Sequence, residues 1–199
     1  MNPFVAPGVQ EGLVLASRSP RRVDILRGLG FTFEVDPARE TIEDEVTHGD
    51  VFALPEALAR AKCAEVAARR GDRLVLAADT VVILDGEVLQ KPADDREAEA
   101  FLRRLSGKTH TVVTGVALKR TRDGVDLSGA ERTRVTFRAL SEDAIARYVA
   151  TGEGRDKAGS YAAQGLGAGL ISSVDGCFYN VVGLPVARFL DLLAEVPAP

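Results

Sequence analysis

The hydrophobic and polar positions of this chain follow two alternating patterns, one of strands and one of helices. Apolar runs at 13–16 and 74–84 have the composition of buried strands. Between such runs, apolar residues recur every three or four positions, which is the spacing of a helix that buries one face. The predicted helices cover 20 to about 28–30, 54–70, 94 to about 106, 141 to about 152 and 184 to about 195. This alternation predicts an α/β protein with a mixed sheet and flanking helices.

Two turn signals predict hairpins in that sheet. Asp85-Gly86 is typical of a two-residue hairpin turn and returns the chain along 87–90. A turn around Asp123-Gly124 joins a strand at 111–119 to one at 131–139, which alternates polar and apolar residues as a half-buried antiparallel strand does. The remaining segments are 34–50, which is acidic and irregular, and 153–183, which is rich in glycine with short strand candidates.

Composition narrows the class of protein. The formal net charge of −4 argues against stable binding to nucleic acid or to a membrane surface. No apolar run approaches a membrane span, and the N-terminus lacks the pattern of a signal peptide. The two cysteines show neither metal-binding spacing nor a disulfide framework, so a cytoplasmic location is expected. We expect a flexible tail at 1–12 and a single domain at 13–199.

The run Leu13–Arg22 indicates an anion-binding site. Ser19 is typical of a helix N-cap and Pro20 of the first helical residue. Arg21 and Arg22 therefore fall in the first turn, where free N–H groups and the helix dipole already favour anions. Two arginines oppose the dipole there, so helix stability alone does not explain them. A bound phosphate would reconcile the arrangement.

Asp79 interrupts an apolar run. A buried carboxylate without a partner is costly, so Asp79 is expected to be paired, hydrogen-bonded or metal-bound. One interpretation is a structural aspartate that caps a turn between two shorter strands. The other is a metal ligand or general base at the end of a strand. The pattern alone leaves both interpretations open.

Further cations and a glycine-rich segment accompany Asp79. Lys62 lies on a mostly apolar predicted helix, where a lysine can simply extend to solvent, and Lys91 lies between a hairpin strand and a proline. With the capped helix start, these cations suggest a polyphosphate site. Residues 156–167 match neither a Walker A motif nor a dinucleotide fingerprint. Gln164 there offers a donor and an acceptor to a base edge, although an ordinary loop with tight turns fits equally well.

Other reactive side chains are interpreted as structural. Cys63 sits in a helical pattern and is predicted to be a small core residue. His48 and His110 are far apart, lack triad partners and are predicted to be surface or strand-end residues. Ser17 and Ser19 have no general base nearby in sequence, so a serine nucleophile is disfavoured.

Seven segments carry a family resemblance. They are LASRSPRR, LARAK, AADTVV, DGEVLQKP, LSGKTHTVVTGVAL, DKAGSYAAQGLG and VVGLP, and they span roughly 13–193. In this order they resemble the Maf family of nucleoside triphosphate pyrophosphatases. The resemblance implies an elongated, inosine-triphosphatase-like α/β fold with two lobes around a cleft. It also implies cytoplasmic hydrolysis of a nucleoside triphosphate to the monophosphate and pyrophosphate, with Mg²⁺ or Mn²⁺. A homodimer is common in the family.

The resemblance also implies roles for particular residues. Asp79 matches the family's catalytic aspartate, described as the proton acceptor, and it is also a candidate metal ligand. A tight metal ligand is not easily a free base as well, and the sequence leaves both roles open. The positions associated with substrate choice are Arg21, Thr80 and Gln164. The polar positions of the phosphate-binding site are Ser17, Arg22, Lys62 and Lys91. Glu40 resembles the early acidic residue thought to help hold metal.

The chain departs from the family pattern at three places. Arg18 stands where many members have a small or neutral residue. The segment 35–40 looks shorter than usual, so Glu43 is an alternative to Glu40 as the metal-site acid. Ala162-Ala163 are smaller than the common family residues, which bears on the shape of the base pocket.

Substrate choice follows from one side chain. Members with glutamine at the position of Gln164 look like the dTTP/UTP type, and members with glutamate look like the 7-methyl-GTP type. We therefore expect a hydrolase of phosphorus-containing anhydrides that acts on dTTP and UTP, with modified pyrimidine nucleotides as further candidates. The alternatives are a 7-methyl-GTP or broad-range nucleotide pyrophosphatase, and a nucleotide-binding regulator of septum formation with little turnover.

Overall fold

The computed structural model describes residues 2–5, 8–9, 12–43, 45–46 and 48–197. The strands are β1 (Leu13–Leu15), β2 (Phe33–Val35), β3 (Val75–Leu84), β4 (Glu87–Leu89), β5 (Thr109–Arg120), β6 (Val125–Phe137) and β7 (Ile171–Asp175). The α-helices are α1 (Pro20–Gly28), α2 (Leu54–Arg70), α3 (Asp95–Leu105), α4 (Glu142–Ala150), α5 (Phe178–Val182) and α6 (Val186–Ala194). Over these ranges, no helix combines the length and the apolar composition needed to cross a bilayer.

The described strands form one seven-stranded mixed sheet. Its order is β2-β1-β3-β5-β6-β7, and β4 pairs with β3. β1 runs parallel to both β2 and β3, whereas β4 is antiparallel to β3 and β7 is antiparallel to β6. The predicted α/β class with a mixed sheet and flanking helices is therefore confirmed.

The chain divides into two compact units. The first comprises 1–79, 114–131 and 183–199, and the second comprises 80–113 and 132–182. At the N-terminus, the side-chain amide of Asn2 donates to Leu29 O at 2.9 Å, and Val9 is buried. The division into a tail at 1–12 and a single domain at 13–199 stays a prediction.

The core of the first unit packs α2 against neighbouring strands through small side chains. Its buried members are Val14, Ala16, Ala59, Cys63, Val66, Ala67, Val75, Ala77 and Ala117. Cys63 is a core residue as predicted, and burial raises the pKa of its thiol to about 12. Gly115 on β5 extends this close packing, because a Cβ there would overlap the backbone of Pro55 and Glu56 at the start of α2.

The core of the second unit contains an aromatic group around His110. His110 Nε2 and the Tyr161 hydroxyl are 2.7 Å apart, and both rings stack edge-on with Phe137. His110 lies near the start of β5, which confirms the strand-end alternative of the prediction, and it is buried rather than at the surface. The apolar and aromatic neighbours that bury it come from segments distant in sequence.

Two differences between the predicted and observed elements have a clear physical reason. β6 begins at Val125 rather than at 131, because Gly124 adopts a φ of 75° and lets the chain turn back at once. Small and polar residues at the start of β6 hide this part of the strand from the apolar pattern. In the acidic segment predicted to be irregular, β2 forms through backbone pairing with β1, which side-chain periodicity does not report.

The predicted helix caps of the second unit are present. The Asp94 carboxylate accepts from Glu97 N–H at 2.8 Å, and Glu97 accepts in return from Ala93 N–H at 2.6 Å. Ser141 Oγ accepts from Ala144 N–H at 3.2 Å at the start of α4. These helix starts are therefore encoded in the local sequence.

Candidate active site

The first two polar residues of the candidate site, Ser17 and Asp79, come after the paired segments of the parallel strands β1 and β3. Leu15 of β1 lies opposite Leu76 of β3, and Ala16 N–H continues the pairing with a bond to Leu76 O at 2.8 Å. Ser17 then follows β1, and Asp79 lies within β3, just beyond the part that pairs with β1. Because β3 is continuous from Val75 to Leu84, the expectations that Asp79 caps a turn between two shorter strands or stands at a strand end are wrong. In open α/β sheets, ligands bind outside the carboxyl ends of parallel strands. This edge of the sheet, at the carboxyl ends of the paired segments, is therefore the candidate site.

Lys62 of α2 joins two carboxylates at that edge. Its Nζ lies 2.5 Å from Asp79 Oδ1 and 2.5 Å from Glu43 Oε1. The Lys62 and Asp79 side chains are each 12% exposed, so a partner lost from this group would leave a poorly solvated charge. The pairing satisfies the carboxylate that interrupts an apolar run. It also excludes the interpretation of Lys62 as a lysine that extends to solvent.

Arg22 is held in one orientation beside this group. Its Nε donates to Gly183 O at 2.7 Å, and its Nη1 donates to Ser17 Oγ at 3.1 Å. Burial lowers the pKa of Arg22, the negative charge of Asp79 opposes that change, and the neighbouring charge of Arg21 adds to it. The negative charge of Asp79, the candidate catalytic carboxylate, therefore acts on the Arg22 guanidinium.

The loop before α1 is organised by the Ser17 hydroxyl. Ser19 occupies the N-cap and Pro20 the first helical position, as predicted, but the Ser19 side chain makes no capping bond. Instead, Ser19 N–H donates to Ser17 Oγ at 3.2 Å. Because Ser17 Oγ also accepts from Arg22, its own O–H is directed away from both donors.

Glu40 and Glu43 occupy opposite ends of one 3₁₀ turn, Glu40–Glu43, and have different partners. Glu40 pairs with Arg18, and its side chain is 81% exposed. Glu43 contacts Lys62 and thereby shares a cation with Asp79. The geometry favours Glu43, the alternative to Glu40, as the acid beside Asp79. The partner of Arg18 is Glu40. Glu40 as a metal ligand stays a prediction.

Three predicted site residues belong to the second unit. Thr80 follows Asp79 in β3 and is half-buried. Lys91 is exposed and follows β4. Gln164 is exposed and stands on extended backbone directly before the 3₁₀ segment Gly165–Leu170. The substrate-related roles of these residues stay predictions.

Sequence reasoning missed one group in each unit. Gly183 supplies the carbonyl that orients Arg22, and its only sequence signal is the VVGLP segment. Glu153 accepts hydrogen bonds from the backbone of Leu166 and Gly167, just after Gln164. No local pattern indicates this role of Glu153, because Leu166 and Gly167 lie more than ten positions further along the chain.

Known proteins similar to this chain include two relatives that share one name. A protein of Pelotomaculum thermopropionicum named dTTP/UTP pyrophosphatase is 49% identical over 185 residues, which cover 92% of this chain and 95% of that protein. A protein of Thermus thermophilus with the same name is 50% identical over 181 residues, which cover 91% of this chain and 92% of that protein. Among solved structures, the Ham1 protein of Staphylococcus aureus is 16% identical, with a TM-score of 0.45 over 63% of this chain and 71% of that chain.

The family assignment rests on nearly the whole sequence. The profile of the family described as Maf-like protein matches residues 12–196. That range includes the candidate site at the edge of the sheet and the glycine-rich segment with Gln164. The chain therefore belongs to the Maf-like protein family.

Proposed function

We propose that this protein is a nucleoside triphosphate pyrophosphatase that hydrolyses dTTP and UTP to the monophosphate and pyrophosphate. The observation that carries the proposal is the Lys62 ammonium held between Asp79 and Glu43, next to an oriented Arg22. Acidic and cationic groups at one sheet edge suit both the activation of water and the binding of phosphate. The relatives named dTTP/UTP pyrophosphatase support the choice of substrate.

Phosphate binding would depend on groups that are already oriented. Gly183 and Ser17 fix the Arg22 guanidinium, so less conformational entropy is lost when a phosphate binds. The O–H of Ser17 and the first-turn N–H groups of α1 add hydrogen-bond donors. Lys91 is proposed as a further phosphate-binding cation on the strength of the motif resemblance.

Asp79 would accept a proton from the attacking water. The water oxygen bonds to the α-phosphorus, the bond from that phosphorus to the α–β bridging oxygen breaks, and pyrophosphate leaves with the bridging oxygen. Lys62 has three N–H donors, of which Asp79 and Glu43 accept two, so the third is available to a phosphate oxygen. Lys62 and Arg22 thereby stabilise the charge that develops on the leaving group.

The donor set fits a divalent cation, Mg²⁺ or Mn²⁺. Asp79 and Glu43 present carboxylate oxygens, which are the ligands that such cations prefer. In the part of the chain that is described, no three His, Cys, Asp or Glu side chains group closely enough to enclose a metal. Mg²⁺ is commonly held by one or two carboxylates together with substrate phosphates. We propose Asp79 and Glu43 as its protein ligands, with Glu40 as the alternative; when bound, the cation polarises phosphate oxygens.

Base selection would depend on Gln164. Uracil and thymine present a carbonyl acceptor beside an N–H donor, and a carboxamide can satisfy both at once. Arg21 and Thr80 are proposed to contribute to substrate choice on the strength of the motif resemblance. A hydrogen-bonding site of this kind discriminates strongly, because the wrong base leaves polar groups unpaired.

We propose a cytoplasmic location for this activity. A homodimer is also proposed, from the family resemblance. Both Cys63 and Cys177 are free thiols. Cys63 is buried, and no stabilising disulfide joins the pair, which fits a reducing compartment.

A product assay tests the proposed function. The wild-type protein is incubated with dTTP, UTP, CTP, GTP or 7-methyl-GTP in Mg²⁺ or Mn²⁺, and pyrophosphate and orthophosphate are measured separately. We expect monophosphate and pyrophosphate, with the highest kcat/KM for dTTP and UTP. Orthophosphate alone would indicate a different bond, and thermal stabilisation by nucleotide without product would indicate a binding protein. Preference for 7-methyl-GTP would overturn the substrate assignment while leaving the reaction class intact.

A further inference from the structure

One carboxylate holds the segment that follows Gln164. Glu153 Oε1 accepts from Leu166 N–H at 2.9 Å, and Glu153 Oε2 accepts from Gly167 N–H at 2.7 Å. The Tyr148 hydroxyl donates to the same Oε2 at 2.9 Å. Burial opposes ionisation of Glu153, but these donors outweigh it and hold the pKa of Glu153 below its ordinary value. Glu153 is therefore a charged acceptor for three hydrogen bonds, which are stronger than neutral ones.

Tyr148 extends the same network to the segment that precedes Gln164. Its hydroxyl oxygen accepts from Ala162 N–H at 3.1 Å. Burial raises the pKa of Tyr148 above its ordinary value, so the hydroxyl stays protonated. It donates a hydrogen bond to Glu153. Tyr148 and Glu153 together bind the backbone on both sides of Gln164.

Two glycines make this close contact possible. Gly165 has a φ of +69°, and a Cβ there would overlap Glu153 Oε1. A Cβ at Gly167 would overlap Ala162 O and would lie 2.8 Å from the Tyr148 hydroxyl. The carboxylate and the phenol therefore occupy space that any larger residue at either position would need. The glycines of this segment serve the contact with Glu153 and Tyr148.

We propose that Glu153 and Tyr148 are positioning residues for base selection, because they fix the backbone on both sides of Gln164. The proposal rests on the proposed function, in which Gln164 reads the pyrimidine. Gln164 is exposed, so the orientation of its amide depends on the backbone that carries it. A fixed backbone lowers the entropy lost when the amide pairs with a base.

Substitution of Glu153 by glutamine tests the proposal. In Glu153→Gln, an NH₂ group replaces one acceptor and faces a backbone N–H donor. We expect the ratio of kcat/KM for UTP to kcat/KM for CTP to fall about tenfold, through a higher KM for UTP, while kcat changes less. Glu142→Gln is the matched control, because Glu142 is an exposed glutamate that accepts from Arg103 at 2.7 Å. The ratio should not change in the control.

A double-mutant cycle shows whether the effect passes through Gln164. In a Gln164→Ala background, Glu153→Gln should leave the UTP to CTP ratio unchanged, because there is no amide left to position. A further fall in that background would overturn the proposal, as would an unchanged ratio in Glu153→Gln alone. Tyr148→Phe keeps the ring and removes the link to Ala162. It should act in the same direction, and it decides the question if Glu153→Gln does not fold.

Hydrogen exchange supplies a readout that does not depend on turnover. The amides of Leu166 and Gly167 should exchange faster in Glu153→Gln than in wild type or Glu142→Gln, and unchanged protection would overturn the proposal. The wild-type rates with pyrimidine triphosphates distinguish a failure of the proposed function from a failure of the positioning role. If wild type hydrolyses no pyrimidine triphosphate, the proposed function fails and takes the selectivity role with it. If wild type prefers UTP and the variants keep that preference, only the positioning role fails.

Discussion

The ammonium group of Lys62 donates to Asp79 Oδ1 at 2.5 Å and to a second carboxylate, Glu43, at the same distance. This relationship connects the middle of α2 with the middle of β3. It also places a positive charge directly beside the carboxylate proposed as the proton acceptor.

Asp79→Asn should remove the proton acceptor while retaining the size of the side chain and an oxygen for Lys62. We expect kcat to fall by about 10²-fold or more. Pyrophosphate release from UTP measures the loss, and circular dichroism establishes that the variant is folded. Turnover close to wild type in a folded Asp79→Asn protein would contradict the assignment.

Glu43→Gln and Glu40→Gln make a matched pair on one 3₁₀ turn. We expect Glu43→Gln to lower kcat/KM by about tenfold or more and to raise the concentration of Mn²⁺ that gives half-maximal rate, because one proposed ligand is lost. Glu40→Gln should change either quantity by less than about twofold, since an exposed ion pair contributes little. Metal titrations of both variants decide the assignment, and the reverse pattern would restore Glu40 as the metal-site acid.

Gln164→Glu should move the preference away from uracil and thymine. A carboxylate accepts hydrogen bonds but cannot donate to the carbonyl of a pyrimidine. We expect kcat/KM for UTP and dTTP to fall by about tenfold or more relative to 7-methyl-GTP. The panel of nucleoside triphosphates used for wild type measures the change. A substrate profile identical to that of wild type would show that Gln164 does not select the base.

His110 should make the protein less stable in mild acid. Burial lowers the pKa of folded His110 from 6.5 to about 4. Between these values the unfolded chain binds a proton that the folded protein excludes, so stability present above pH 6.5 is lost as the pH falls toward 4. At about pH 5 the loss from this residue is on the order of 2 kcal/mol.

Urea denaturation at about pH 7 and about pH 5 measures the His110 contribution. His110→Gln removes the titrating group, so the free energy of unfolding of that variant should fall by about 2 kcal/mol less than that of wild type over this interval. An equal fall in both proteins would assign the acid sensitivity to other groups.

Gly115→Ala should destabilise the first unit, because the added methyl group would overlap the backbone of Pro55 and Glu56. We expect a loss of about 1–3 kcal/mol in the free energy of unfolding, the usual cost of overpacking. Gly28→Ala is the matched control, since a Cβ there meets nothing within 4 Å. The control should change stability by less than about 1 kcal/mol, and equal losses in the two variants would contradict the close packing of β5 against α2.

Short-range features of this fold were accessible from the sequence. The periods of apolar residues predicted the α/β class, and Asp94 and Ser141 cap their helices as expected. Asp85 and Gly86 turn the chain between β3 and β4. These features depend on interactions among residues a few positions apart, so a local pattern contains the necessary information.

The fold class, the family and the need of Asp79 for a partner all follow from sequence patterns, because a carboxylate in an apolar run must be satisfied. The folded chain was needed to show that this partner is Lys62, that Glu43 rather than Glu40 shares it, and that Glu153 holds the backbone beside Gln164. These contacts join residues that lie far apart in the chain. They depend on how helices and loops pack against the strands, which hydrophobic periodicity does not specify.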